Sequence, residues 1–127
     1  MQDSKNILLV DDDELFADML QKQLTRSGYT VVRARNGREA IRLYDRRRIS
    51  LVLTDLVMPD MEGLELIMKL REFDPGIRIV AMSGGGRNRP DTYLNMARQL
   101  GATTTLAKPF SSDEMFAAIE GLVNWET

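Results

Sequence analysis

The chain contains neither cysteine nor histidine, and these two absences remove large parts of protein chemistry. Without a thiol there are no disulfides, no thiolate metal sites and no cysteine nucleophile. Without an imidazole there is no serine–histidine pair, no histidine general base and no imidazole metal ligand. Any bound metal must be held by oxygen, which favours magnesium, calcium or manganese. No apolar run approaches the ~18 residues of a membrane span, and Met1 to Lys5 lack the pattern of a signal peptide. A cytoplasmic location, away from the membrane, is therefore expected. The formal net charge of −2 gives no electrostatic reason to expect direct nucleic-acid binding.

What is present is an ordinary globular composition, with 43% hydrophobic and 28% charged residues in a length of 127 that suits one domain, residues 1–127. Strand-like apolar runs alternate with amphipathic helical patterns from end to end. Strands are expected over 6–10, 30–34, 50–54, 77–82 and 103–107. Helices are expected over 14–27, 38–47, 63–73 and 91–100, with a final helix capped by Ser111 or Ser112. Leu15, Phe16, Met19, Leu20 and Leu24 form the apolar stripe of the first helix and are assigned to the core. Gly28 and Gly101 fall where left-handed helix caps belong. Strict βα alternation argues an α/β protein, a five-stranded parallel sheet with helices on both faces.

Four of the strands end on residues that can handle a metal or a phosphate. The first ends at Asp11-Asp12-Asp13, the third at Asp55, the fourth at Ser83 and the fifth at Lys108-Pro109. In the doubly wound order 2-1-3-4-5 these endings meet at one edge of the sheet, where such folds bind ligands. Asp12 and Asp55 would then stand side by side, about one strand spacing of ~4.8 Å apart. Adjacent carboxylates repel unless a cation neutralises them, and two with a backbone carbonyl and water suit Mg²⁺. A carboxylate can also accept a phosphoryl group as an acyl phosphate. Ser83 could donate to a phosphoryl oxygen, with Gly84-Gly85-Gly86 letting backbone approach. Lys108 starts ~10 Å from the third strand, so only a long cationic side chain could reach across. Each ending alone has a commoner explanation: a helix cap, a turn or a solubility lysine. Four in this order are specific.

The sequence resembles the response-regulator receiver domains, the CheY-like family of two-component signalling. The resemblance covers residues 5–125 and rests on Val10-Asp11-Asp12-Asp13, Thr54-Asp55 with Met58-Pro59 and Gly63, Met82-Ser83-Gly84, and Ala107-Lys108-Pro109-Phe110. It implies a flavodoxin-like fold and a phosphoacceptor at Asp55. It implies Mg²⁺ held by Asp11, Asp12, Asp55 and the carbonyl of Val57, a phosphate-binding Lys108 and a switch hydroxyl at Ser83. Where the family has an aromatic switch residue this chain has Thr105, which cannot report by burying a ring. Val57 and Gly85, at positions that influence water attack on the acyl phosphate, cannot orient water, which implies a long-lived phosphoryl state.

The implied partners are a sensor histidine kinase or phosphotransfer protein, which must supply the phosphohistidine, and a downstream protein target or output domain. A phosphorylation-dependent dimer is among the implied assemblies. Exposed residues of the first helix and Phe110 are candidate docking points, and Arg87 and Arg89 are either contacts to a partner or part of a solvated basic loop. Arg46-Arg47-Arg48 reads as a solvated helix end. The domain is expected to be a regulatory phosphoacceptor, not an enzyme. A hydrolase with an aspartyl-phosphate intermediate would want an acid at Val57. A pseudo-receiver, binding without phosphorylation, would lack one of Asp12, Asp55 or Lys108. After residue 110 only one helix is expected, which fits a stand-alone receiver or one excised from a longer regulator.

Overall fold

Two faces of one sheet divide the apolar side chains between two cores. In the computed structural model, which describes residues 5–56, 63–83 and 90–122 (with no side-chain detail over 90–93), β1 (Asn6–Val10) sends Leu8 and Val10 to one face and Ile7 and Leu9 to the other. β3 (Leu51–Asp55) and β4 (Ile79–Ser83) are buried at every position. A strand covered on both faces reads as a continuous apolar run, which is why these strands show no alternation. β2 (Thr30–Ala34) and β5 (Thr104–Ala107) are the partly exposed edges. All pairings are parallel and the strand order is β2-β1-β3-β4-β5, as expected.

Five helices cover the sheet. α1 (Glu14–Arg26) and α5 (Ser112–Leu122) pack on the face that carries Ile7, Leu53 and Met82. α2 (Gly37–Leu43), α3 (Gly63–Phe73) and α4 (Pro90–Leu100) pack on the face that carries Leu8, Val52 and Ala81. Their ends follow local chemistry. Asn36 caps α2 by accepting from the Glu39 N–H. Ser111, not Ser112, caps α5 in a capping box: Ser111 Oγ accepts from the Glu114 N–H, and Glu114 Oε1 accepts from the Ser111 N–H. Gly28 and Gly101 have φ of 98° and 126°, the left-handed conformation expected at those two stops.

Several expectations are corrected. The buried face of α1 is Ala17, Leu20 and Leu24 with Phe16 half-buried, while Leu15 is 82% and Met19 46% exposed. At roughly 100° per residue, Leu15 and Met19 stand on the far flank from Leu20 and Leu24, and the small Ala17 takes the core position. α2 stops at Leu43 instead of running to residue 47. Asp45 captures the next turn, accepting the Arg47 N–H on its side chain and the Arg48 and Ile49 N–H groups on its carbonyl. Arg46–Arg48 are thus an exposed turn leading to buried Ile49, not a helix end. β4 and β5 begin two residues and one residue later than expected, and β4 includes Ser83.

Candidate functional site

Strand register assembles the site. Val10 pairs with Thr54, which brings Asp11, one residue on, level with Asp55. Asp55 pairs with Met82, and Ser83 pairs with Ala107, after which comes Lys108. Asp11, Asp55, Ser83 and Lys108 therefore leave neighbouring strands at the same edge. Register puts Asp11 beside Asp55, while Asp12 lies one residue further into the turn and is exposed. Each of Asp11, Asp12 and Asp55 still presents a carboxylate oxygen within 4.8 Å of the others.

Local hydrogen bonds fix these groups. Asp11 Oδ1 accepts from the Asp13 N–H at 2.9 Å, and Asp13 Oδ1 accepts from the Phe16 N–H at 3.1 Å. Asp13 is thus the N-cap of α1, and helix capping accounts for one acid of the three. Beyond Asp55, the Leu56 N–H donates to the Met82 carbonyl and the Leu56 carbonyl accepts from the Gly63 N–H. A Cβ at residue 63 would collide with the Asp55 carbonyl oxygen, so glycine is what lets α3 start this close to the site.

Lys108 crosses from β5 to the acids. Its Nζ lies 3.3 Å from Asp11 Oδ2 and 3.3 Å from Asp55 Oδ1. Its backbone N–H donates to the Ser83 carbonyl at 2.9 Å, and the Lys108–Pro109 peptide is cis. The ammonium also sits over the ring of Phe16, 4.2 Å from the centroid, and that ring meets Phe110 edge to face at 6.0 Å. The sequence reading placed Phe16 only in an apolar stripe. No spacing in the sequence links this first-turn aromatic to the Lys108-Pro109-Phe110 segment; only the fold brings them together.

Burial and charge make the site chemically tense. Asp11 is 2%, Asp55 8% and Ser83 1% exposed. Burial pushes the Asp55 carboxyl up to about 6, reinforced by the Asp11 charge and opposed by Lys108. Burial likewise raises Asp11, against its hydrogen bond from Asp13 and the pull of Lys108. Three carboxylates face one ammonium, an excess of negative charge that an oxygen-binding divalent cation would offset. The donor set therefore fits Mg²⁺. Ser83 Oγ, at the end of the neighbouring strand, is buried with no hydrogen-bond partner among the described residues.

Thr105 is not part of this cluster. It stands opposite Ala81, and its Oγ1 accepts from Arg98 Nη2 at 3.0 Å, while Arg98 Nη1 donates to Asn95. A polar tether from α4 to β5 occupies the position expected to carry the switch. Val57, Gly85, Arg87 and Arg89 lie outside the described residues.

Fold and site together define a doubly wound α/β domain with an acid–lysine pocket at the carboxyl edge of its sheet. The sequence model of the family described as response regulator receiver domain matches residues 7–120, and the chain belongs to that family. It is 35% identical over 115 residues to the transcriptional regulatory protein GlrR of Escherichia coli, covering 91% of this chain and 25% of that protein. It is 32% identical over 117 residues to the sporulation initiation phosphotransferase F of Bacillus subtilis, covering 92% of both chains. Among solved structures, a CheY-like response regulator receiver domain protein from Methanospirillum hungatei superposes with a TM-score of 0.84 at 29% identity, covering 94% of each chain. The chain thus spans a small part of some relatives and nearly all of others. Receiver domains are regulatory phosphoacceptors that take a phosphoryl group from a kinase in two-component signalling. No helix among the described residues is long and apolar enough to cross a membrane.

Proposed function

We propose that Asp55 accepts a phosphoryl group from the phosphohistidine of a sensor kinase or phosphotransfer protein. An Asp55 carboxylate oxygen attacks phosphorus in line, an O–P bond forms, the N–P bond breaks, and the imidazole nitrogen leaves with the electron pair. Asp11, Asp12, Asp55 and the carbonyl of Val57 would hold Mg²⁺, which supplies positive charge to the phosphoryl oxygens when bound. Lys108 supplies the second positive charge from the β5 side, and it also keeps Asp55 ionised against burial. Ser83 donates its free hydroxyl to a phosphoryl oxygen, drawing the end of β4 toward Asp55. That movement biases the α4-β5-α5 face and so changes contacts with a target or output domain, or with a second copy of the chain. With Thr105 tethered to Arg98, the response on this face is carried by a polar contact instead of a turning ring.

The observation that carries the reading is the Lys108 ammonium 3.3 Å from both Asp11 and Asp55 in a buried cluster. Docking of the phosphodonor falls most naturally on the exposed Leu15 and Met19 of α1 and on Phe110, beside the site. The test is intact-mass analysis after incubation with acetyl phosphate and Mg²⁺, for the wild type and Asp55→Asn. One phosphoryl adduct is expected on the wild type, absent without Mg²⁺ and absent from the variant. A folded, Mg²⁺-loaded wild type that gains no adduct would make the chain a pseudo-receiver, a binding module that works without phosphorylation.

A further inference from the structure

A lysine side chain is long and flexible, and Lys108 at 21% exposure could swing its ammonium toward water. The two carboxylates that attract it are the groups a cation or phosphoryl group would engage. Their pull on Lys108 must weaken just when the lysine is needed. The Phe16 ring offers a contact that does not depend on the state of the acids. Its centroid is 4.2 Å from Nζ, within the ~6 Å reach of a cation–π contact. The ring is itself held from three sides. It packs against the core under α1 and α5, its backbone N–H is bound by Asp13, and Phe110 meets it edge to face. Phe110 follows Lys108 by two residues, so one short segment supplies both the ammonium and the brace for the ring.

We propose that Phe16 is a positioning residue for phosphoryl transfer: its ring face holds the Lys108 ammonium between Asp11 and Asp55, and Phe110 holds the ring. The proposal rests on the reading of Lys108 as the phosphate-facing cation. It makes an aromatic side chain on α1 part of the apparatus that handles charge, although its ring carries no charge.

The experiment uses the full chain as wild type, Phe16→Leu and Phe16→Tyr, with two readouts. One is the NMR shift of the Lys108 ε-methylene protons without phosphodonor. The other is the rate of phosphoryl uptake from acetyl phosphate with Mg²⁺, followed by intact mass. Protons over a ring face move upfield, so the wild type and Phe16→Tyr should show a displaced Lys108 resonance, and Phe16→Leu an ordinary one. Uptake should fall about three- to tenfold in Phe16→Leu and return in Phe16→Tyr, the range expected of a partly desolvated cation–π contact. Leucine keeps the apolar packing, so a purely structural role predicts no such split. If Phe16→Leu fails to fold, Phe16→Met fills the space without a π face and takes its place. An undisplaced Lys108 resonance in the wild type, or wild-type uptake in Phe16→Leu, overturns the proposal. A wild-type chain that takes up no phosphoryl group refutes the function instead, while the Lys108 resonance still decides whether Phe16 holds the ammonium.

Discussion

The ammonium of Lys108 reaches across from β5 to stand 3.3 Å from Asp55 Oδ1, at the end of β3 with β4 between them. The same nitrogen is 3.3 Å from Asp11 Oδ2, so a single cation serves two buried acids. Removing one partner of a buried pair leaves the others uncompensated, which costs more than the pair contributes. Lys108→Met keeps the length of the side chain and removes its charge. It should lower folding stability at neutral pH by about 1–3 kcal/mol, with part recovered in Mg²⁺. Phosphoryl uptake should fall by about tenfold or more, because charge developing on the phosphoryl oxygens loses a fixed partner. Denaturant titrations with and without Mg²⁺, beside intact-mass kinetics, check both effects.

Asp55 sets a pH dependence of definite sign. Its folded-state pKa of about 6 lies above the ordinary 3.8, chiefly through burial. Between those values the folded protein binds more protons than the unfolded one, so stability falls as pH rises. The contribution is fully present below the unfolded pKa and is lost as pH passes through about 6, amounting to about 3 kcal/mol at most. Asp55→Asn cannot ionise there. In the absence of Mg²⁺ it should be more stable than the wild type at neutral pH, and the difference should shrink toward about pH 4. Mg²⁺ should reverse the order near neutrality by binding the wild type, and should do little in acid, where Asp55 holds a proton and burial makes Asp11 easier to protonate. Chemical denaturation of both proteins across pH gives the answer. A wild type insensitive to Mg²⁺ at neutral pH would count against the assigned metal site.

The strand endings were legible because each belongs to a short apolar run whose last residue is polar, and parallel pairing forces such endings to one edge. Asp55, Ser83 and Lys108 needed nothing more than that rule and the strand order. Side-chain detail was less legible. Periodicity keyed to large apolar residues put Leu15 and Met19 in the core and passed over Ala17, since an alanine gives little hydrophobic signal however completely it is buried. The end of α2 depended on Asp45 binding its neighbours' N–H groups, a local competition that a helical pattern does not record. Phe16 over Lys108 and Arg98 bound to Thr105 join distant or differently directed parts of the chain, and no spacing rule predicts such pairs.

In the proposed switch, Ser83 separates stability from signalling. Its Oγ is buried and unpartnered among the described residues, so the hydroxyl makes no hydrogen bond to them. Ser83→Ala should leave folding stability unchanged or raise it by up to about 1 kcal/mol. The variant should still form the Asp55 adduct, but without a donor to the phosphoryl oxygen the end of β4 has no reason to move. Amide resonances of β4 and β5 that shift on phosphorylation of the wild type should shift much less. A Ser83→Ala protein with a full wild-type response would remove this hydroxyl from the switch.

Gly63 links the start of α3 to the geometry of Asp55, the proposed phosphoacceptor. Its N–H donates to the Leu56 carbonyl at 2.9 Å, and an added Cβ would press on the Asp55 carbonyl oxygen and on Leu56 Cα. Both obstacles are backbone, and neither can turn aside as a side chain would. Gly63→Ala should therefore destabilise the fold by about 2 kcal/mol or more, although alanine is the better helix former. Because the displaced peptide carries Asp55, phosphoryl uptake should slow even in the fraction that folds. Gly121→Ala is the control: near the end of α5, its Cβ would meet nothing within 4 Å. That change should be neutral or stabilising by a few tenths of a kcal/mol to about 1 kcal/mol. Thermal denaturation of the two variants, with intact-mass kinetics for each, separates a helix-propensity effect from a collision at the site. Equal stability of the two variants would mean that α3 can move away from Asp55 at no cost.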